Sequence, residues 1–201
     1  GGNSGDTIKS GTGDDTVLGD NGLAIFNDDS FLTHINTTAP ELGGIDDIKT
    51  AEGADIVLGG PKTDTIYTYN PNNSSTEDAS DKVIGDNGLV TFEDDGSIAT
   101  FQTTDPGEGD TDNIYTGNGA DIIAGGDGTD IIYACIESSD TEPVCDGNDT
   151  AADIVLGDNG QAVFNEDGIL SNIESTDYDH SSTLEANATY LDIIHTGGGN
   201  D

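Results

Sequence analysis

Residues Thr116 to Tyr133 read TGNGADIIA GGDGTDIIY, two consecutive nine-residue units. Each has glycine at its second and fourth positions, aspartate at its sixth and isoleucine at its eighth. The spacing of nine recurs outward from there, in Asp6 and Asp15, in Asp46, Asp55 and Asp64, in Asp112, Asp121 and Asp130, and in Asp192 and Asp201. Asp81 and Asp153 belong to the same set. Two residues beyond these aspartates stand Ile8, Val17, Ile48, Val57, Ile66, Val83, Ile114, Ile123, Ile132, Val155 and Ile194, all β-branched aliphatics. A β-branched residue at one fixed phase predicts a very short strand with one inward side chain after each aspartate. The glycines ahead of the aspartate predict turns that need positive φ.

A longer period encloses the short one. Gly-Asp-Asn-Gly occurs at 19–22, 85–88 and 157–160. After each comes a segment of different character, at 23–38, 89–104 and 161–176. These segments read as hairpins, with Phe26, Phe92 and Phe164 alternating with Ala24, Val90 and Ala162 on one face, a polar turn, and return strands from Leu32, Ile98 and Leu170. The aromatic is expected in the core. The chain therefore divides into a partial repeat unit at 1–40, a full unit at 41–106, a full unit with loop insertions at 107–186, and the start of another at 187–201. The last aspartate of one unit precedes the first of the next by 31 residues twice and by 39 between Asp153 and Asp192, so an eight-residue loop is added near Tyr178 to Glu185. Further insertions at Thr68–Ser75 and Ala134–Gly147 are expected to protrude.

Composition sets the chemistry. The 201 residues carry 41 acidic against 4 basic side chains, a formal charge of −37, with hydrophobic content of 32% and aromatic content of 5%. Such a chain needs a counter-ion to fold, and a thick aromatic core is not expected. Four basic residues build no cationic face, so nucleic acid is excluded as a partner and direct membrane insertion is not expected. The sequence has no GxSxG, HExxH or CxxC, and His34, His180 and His195 fall in dissimilar places. No enzyme is expected. An ice-binding ladder fits poorly, since the third turn positions run Thr12, Glu52, Asn118 and Gly198. The lack of methionine and the Gly1-Gly2 start point to a piece of a longer or processed product.

The units Gly1–Lys9, Ser10–Leu18, Thr116–Ala124 and Gly125–Tyr133 resemble the GGxGxDxUx nonapeptide of the hemolysin-type, or RTX, calcium-binding repeats, over roughly half the chain. The resemblance implies an all-β fold, a calcium-bound parallel β-roll or β-solenoid in which two nonapeptides complete one coil, here with β-hairpins inserted. It implies several Ca²⁺ ions held at turn edges, with Asp6, Asp15, Asp46, Asp55, Asp64, Asp81, Asp112, Asp121, Asp130, Asp153, Asp192 and Asp201 as ligands. Turns two units apart stack, so sites are shared between Asp46 and Asp64, Asp112 and Asp130, Asp55 and Asp81, and Asp121 and Asp153. A glycine turn presents carbonyl oxygens and each Asp adds charge, which suits a hard cation. The turns before Asp81, Asp153 and Asp192 have no glycine. Asp20, Asp86 and Asp158 either close the last site of a unit or are plain turn residues.

A calcium-binding repeat chain belongs outside the cell, secreted or on the surface of a Gram-negative bacterium. There, Cys135 and Cys145 are expected to form a loop disulfide rather than to remain free thiols. The reading that follows is a structural repeat segment of a large extracellular protein, an adhesin stalk, matrix protein or filament, whose units or copies meet end to end. The alternative is the calcium-folding, secretion-associated region of an RTX toxin or hydrolase.

Overall fold

In the computed structural model, residues 1–71, 79–137, 145, 147–176, 191–199 and 201 are described. The chain is all-β. Strands of three residues, Thr7–Lys9, Asp47–Lys49, Thr65–Tyr67, Asn113–Tyr115, Ile131–Tyr133 and Ile193–His195, lie parallel in that order in a first sheet. Thr16–Leu18, Ile56–Leu58, Lys82–Ile84, Ile122–Ala124 and Ile154–Leu156 form a second parallel sheet. Successive short strands alternate between the two, so the chain winds as repeated coils, an arrangement compatible with a β-solenoid. The pairing is in register throughout: Ile8, Ile48, Ile66, Ile114, Ile132 and Ile194 form one column. Val17, Val57, Val83, Ile123 and Val155 form the other. All of these but the exposed Ile194 meet between the sheets as one apolar cluster. With a single side chain per strand in that layer, β-branched aliphatics of similar size keep the coils at a similar thickness.

The hairpins form a third sheet. Gly22–Phe26 with Leu32–Thr37, Gly88–Phe92 with Ile98–Thr103, and Gly160–Phe164 with Leu170–Ser175 pair antiparallel. Each hairpin also pairs with the next, Ile35 opposite Val90 and Phe101 opposite Ala162. The six strands are thus continuous across the repeat units.

This sheet corrects the expectation of one buried side chain per strand and of a thin core. In the second sheet the residues flanking the inward one point to the opposite face, where Leu58, Ile84, Ala124 and Ile122 pack against Ile35, Val90, Phe101, Ala162 and Phe164. A strand covered on both faces buries consecutive residues, and IVL at 56–58 and IIA at 122–124 do so. The final glycine of Gly-Asp-Asn-Gly has a packing reason here. A Cβ at Gly22, Gly88 or Gly160 would press on Leu18 at 2.6 Å, Ile84 at 2.4 Å or Leu156 at 3.0 Å, the side chains on which each hairpin is seated.

Aromatic placement follows position in the third sheet. Phe164 is buried, Phe92 packs partly against the core, and Phe26 is 54% exposed because its strand is the sheet's outermost. Phe101, which sequence reasoning passed over, is fully buried.

The insertions are less loop-like at their starts than expected. Thr68, Tyr69, Ala134, Cys135 and Ile136 are buried. Tyr67, Tyr115, Tyr133 and His195 stack along the outer face of the first sheet with centroids 4.3, 5.5 and 4.6 Å apart. Cys135 and Cys145 are joined, with Cα atoms 5.5 Å apart. The loop expected near Tyr178 to Glu185 lies outside the described residues, as do 72–75 of the first insertion and 138–144 and 146 of the second.

If the second core carries stability, Phe101→Ala should cost about 3–5 kcal/mol by chemical denaturation, the usual range for emptying a buried aromatic site. Phe26→Ala should stay within about 0.5 kcal/mol of the parent, as exposed positions do.

Candidate metal centre

The aspartates form two columns, one on each edge of the coils. Turns leading from the second sheet to the first carry Asp6, Asp46, Asp64, Asp112, Asp130 and Asp192. Along this edge each backbone N–H donates to the carboxylate of the next rung: Asp6 to Asp46 Oδ1 at 2.7 Å, Asp46 to Asp64 at 2.8 Å, Asp64 to Asp112 at 2.7 Å, Asp112 to Asp130 at 2.8 Å and Asp130 to Asp192 at 2.9 Å. Turns leading back carry Asp15, Asp55, Asp81, Asp121, Asp153 and Asp201, bonded in the same way at 2.8, 2.8, 2.8, 3.0 and 3.2 Å. The structure brings together each of the four pairs named above. It also joins Asp64 to Asp112 and Asp81 to Asp121, across the unit boundary.

These bonds give the sixth position a use for a short side chain that carries an acceptor oxygen. The residue just before each strand has an N–H that the ladder of the strand does not use, and an acceptor two bonds beyond Cβ reaches it from the neighbouring rung. Glutamate would be too long and asparagine would supply one acceptor oxygen only.

The second carboxylate oxygen is the unusual feature. Oδ2 of Asp46, Asp64, Asp112 and Asp130 is buried with no hydrogen-bond donor. Beside it, in the same turn, stands a glycine. At Gly59 a Cβ would lie 2.7 Å from Asp64 Oδ2 and 2.1 Å from the carbonyl oxygen of Gly85. At Gly19 the corresponding distances are 2.6 Å to Asp46 and 2.3 Å to the Gly59 carbonyl, and at Gly125 they are 2.2 Å to both Asp130 and the Gly157 carbonyl. Carboxylate and carbonyl oxygens from successive rungs thus converge on space that any side chain would fill.

Burial raises these carboxyl groups strongly. Asp64 is pushed up to about 9, first by loss of hydration and then by the neighbouring charges of Asp46, Asp20 and Asp86. Asp130 is raised to about 7 by burial, with Asp192 adding repulsion. Asp112 rises well above the usual carboxylate range through burial and the charges of Asp86 and Asp64. On the other edge Asp81 is raised to about 9, Asp153 to about 8 and Asp121 to about 7, burial leading in each. A row of buried like charges is stable only if protons or cations neutralise it.

The second-position aspartates behave differently from one another. Asp20 is buried and accepts the Gly44 N–H at 3.1 and 3.2 Å. Asp86 accepts the N–H groups of Asp110 at 3.0 Å and Asp127 at 2.7 Å. Both pin the turn by which the chain returns from a hairpin. Asp158 is exposed. Asp149 was missed by sequence reasoning: it is 2% exposed, its Oδ1 accepts the Ala151 N–H at 3.1 Å and its Oδ2 is buried without a donor. It lies four residues before Asp153, outside the nine-residue phase, so periodicity gives no signal for it.

Among the described residues no group of three or more His, Cys, Asp or Glu side chains gathers into a metal cluster. The available donors are one or two carboxylates per rung together with backbone carbonyls, the oxygen-only set that a hard divalent cation takes. Comparison with protein-family models, with curated proteins and with solved structures finds no match.

The raised carboxyl groups give a signed pH dependence. In chelator the folded chain binds more protons than the unfolded chain, so stability is present in acid and falls as pH rises from about 4 toward the folded values near 7 to 9. Circular dichroism in chelator should therefore show more β structure at pH 5 than at pH 8. A chelated chain more stable at pH 8 would contradict the burial argument.

Proposed function

We propose that this chain is a calcium-binding structural repeat segment of a large secreted or cell-surface bacterial protein, with the character of an adhesin stalk, matrix protein or extracellular filament. The observation that carries the reading is the column of buried, donor-less Asp Oδ2 atoms at Asp46, Asp64, Asp112 and Asp130, each facing glycine and backbone carbonyl oxygen. Calcium bound there would supply the positive charge that lets these carboxylates ionise in place. Asp46, Asp64, Asp112 and Asp130 would hold it, with the carbonyls of Gly59, Gly85, Gly125 and Gly157 as the neutral donors.

The resemblance to RTX repeats favours the same role. A structural array rather than a short secretion-associated region is supported by the third sheet. Each hairpin adds its first strand to the second strand of the hairpin before it, so the assembly lengthens by whole units. The outermost strands carry exposed Leu23, Ile25 and Phe26 at one side and Leu170 and Ile173 at the other. Such edges suit a neighbouring unit, whether of the same chain or of a copy. No catalytic role is assigned.

Folding should require the ion. At pH 7.5 in chelator the chain should give a disordered spectrum and acquire β structure with a midpoint at about 10⁻⁴–10⁻³ M Ca²⁺, the range of extracellular modules. A β spectrum unaffected by chelator would overturn the reading.

A further inference from the structure

The two edges share the aspartate ladder but not what stands opposite it. The residue that follows each strand of the second sheet is Gly19, Gly59, Gly85, Gly125 or Gly157. The residue that follows each strand of the first sheet is Ser10, Thr50, Thr68, Thr116, Ala134 or Thr196. These two sets occupy the same slot, beside the carboxylate that ends the same turn.

A glycine leaves Oδ2 facing space and carbonyl oxygen, as at Asp64 and Asp130. Two of the threonines supply a hydrogen-bond donor instead. The Thr116 hydroxyl donates to Asp121 Oδ2 at 2.5 Å, and the Thr68 hydroxyl donates to Asp81 Oδ2. Both threonines are fully buried, so this bond replaces the hydration that the carboxylate lost. Lys82, half-buried at the start of its strand in the second sheet, lies on this edge too. It donates to the Ser80 carbonyl at 2.9 Å; burial lowers its pKa, and the charges of Asp81 and Asp121 oppose that shift.

Asp153 serves as an internal control. Ala134 occupies its slot, no hydroxyl is present, and Asp153 Oδ2 is buried without a donor. Asp15 on the outermost rung, preceded by exposed Ser10, also lacks one. The Thr50 hydroxyl makes no hydrogen bond, so the donation is established at the two central rungs, Asp81 and Asp121.

We propose that the edges are chemically inequivalent: the glycine edge takes the divalent cations, while on the threonine edge Asp81 and Asp121 are held by hydroxyl hydrogen bonds, with the half-buried Lys82 beside them, in place of metal. This rests on the calcium reading above and narrows it. A symmetric roll would lose ions equally from either edge.

The test counts Ca²⁺ per chain after equilibrium dialysis, by elemental mass spectrometry, in the parent and two double variants. Asp64→Asn with Asp130→Asn should bind fewer ions than the parent. Asp81→Asn with Asp121→Asn should keep the parental count while its melting point falls. Equal losses, or a loss confined to the second variant, would overturn the proposal and leave the calcium reading standing. A parent chain with no bound Ca²⁺ would overturn both. Should either variant fail to fold, the parent itself decides: substoichiometric Mn²⁺ should broaden the backbone amide signals of Gly59, Gly85 and Gly125 first and those of Thr68 and Thr116 last. Broadening in the reverse order, or uniform broadening, would contradict the assignment.

Discussion

Every coil of this protein depends on one hydrogen bond, from the backbone N–H of an aspartate to the Oδ1 of the aspartate on the next rung. It fixes the register of the turns as the strand ladder fixes the register of the strands. Its consequence is electrostatic. A carboxylate close enough to serve the neighbouring backbone is buried, and a column of them accumulates like charge in a place where water cannot screen it. The rest of the turn is an answer to the second oxygen. Glycine leaves that oxygen facing open space and a carbonyl oxygen, and at Asp81 and Asp121 a threonine gives it a hydrogen-bond donor.

Packing answers a different difficulty. Three-residue strands with one inward side chain make a layer that is apolar but thin. The hairpins remedy this by lying on the back of the second sheet, so that Leu58, Ile84 and Ala124 become a second core with Phe101 and Val90. The hairpins leave the coil on the glycine edge after Gly-Asp-Asn-Gly. There the aspartate ties the returning turn, and the asparagine at position 87 donates to the Glu108 carbonyl at 2.8 Å. The motif therefore seats the hairpin at both of its ends, which is why it recurs once per unit while the nonapeptide recurs several times.

Much of this was legible in the sequence, because periodicity reports repeated environments. The nine-residue phase of Asp and Ile or Val located every short strand among the described residues, and the return strands of the hairpins begin at Leu32, Ile98 and Leu170 as the alternation indicated. What escaped reading were contacts between different periods. The branched residues at Ile56, Leu58 and Ile122 look like strand filler until a third sheet is known to cover them. Tyr67, Tyr115 and Tyr133 share the ninth position of their units, yet their stacking depends on strand order, which sequence spacing does not contain. The alternation of glycine and threonine after successive strands was present in the letters. Its meaning required knowing which edge each turn occupies. Asp149 lies off the repeat phase and could be found only from the fold.

The central claim is that the donor-less carboxylate oxygens of the glycine edge are neutralised by calcium rather than by protons. A crystal structure grown at neutral pH in millimolar Ca²⁺ tests it most directly. The account predicts ions at 2.3–2.6 Å from carboxylate and carbonyl oxygens, the ordinary calcium range, with Asp64 Oδ2 and the Gly85 carbonyl among the ligands. The same aspartate ladder intact with no ion on that edge would contradict it.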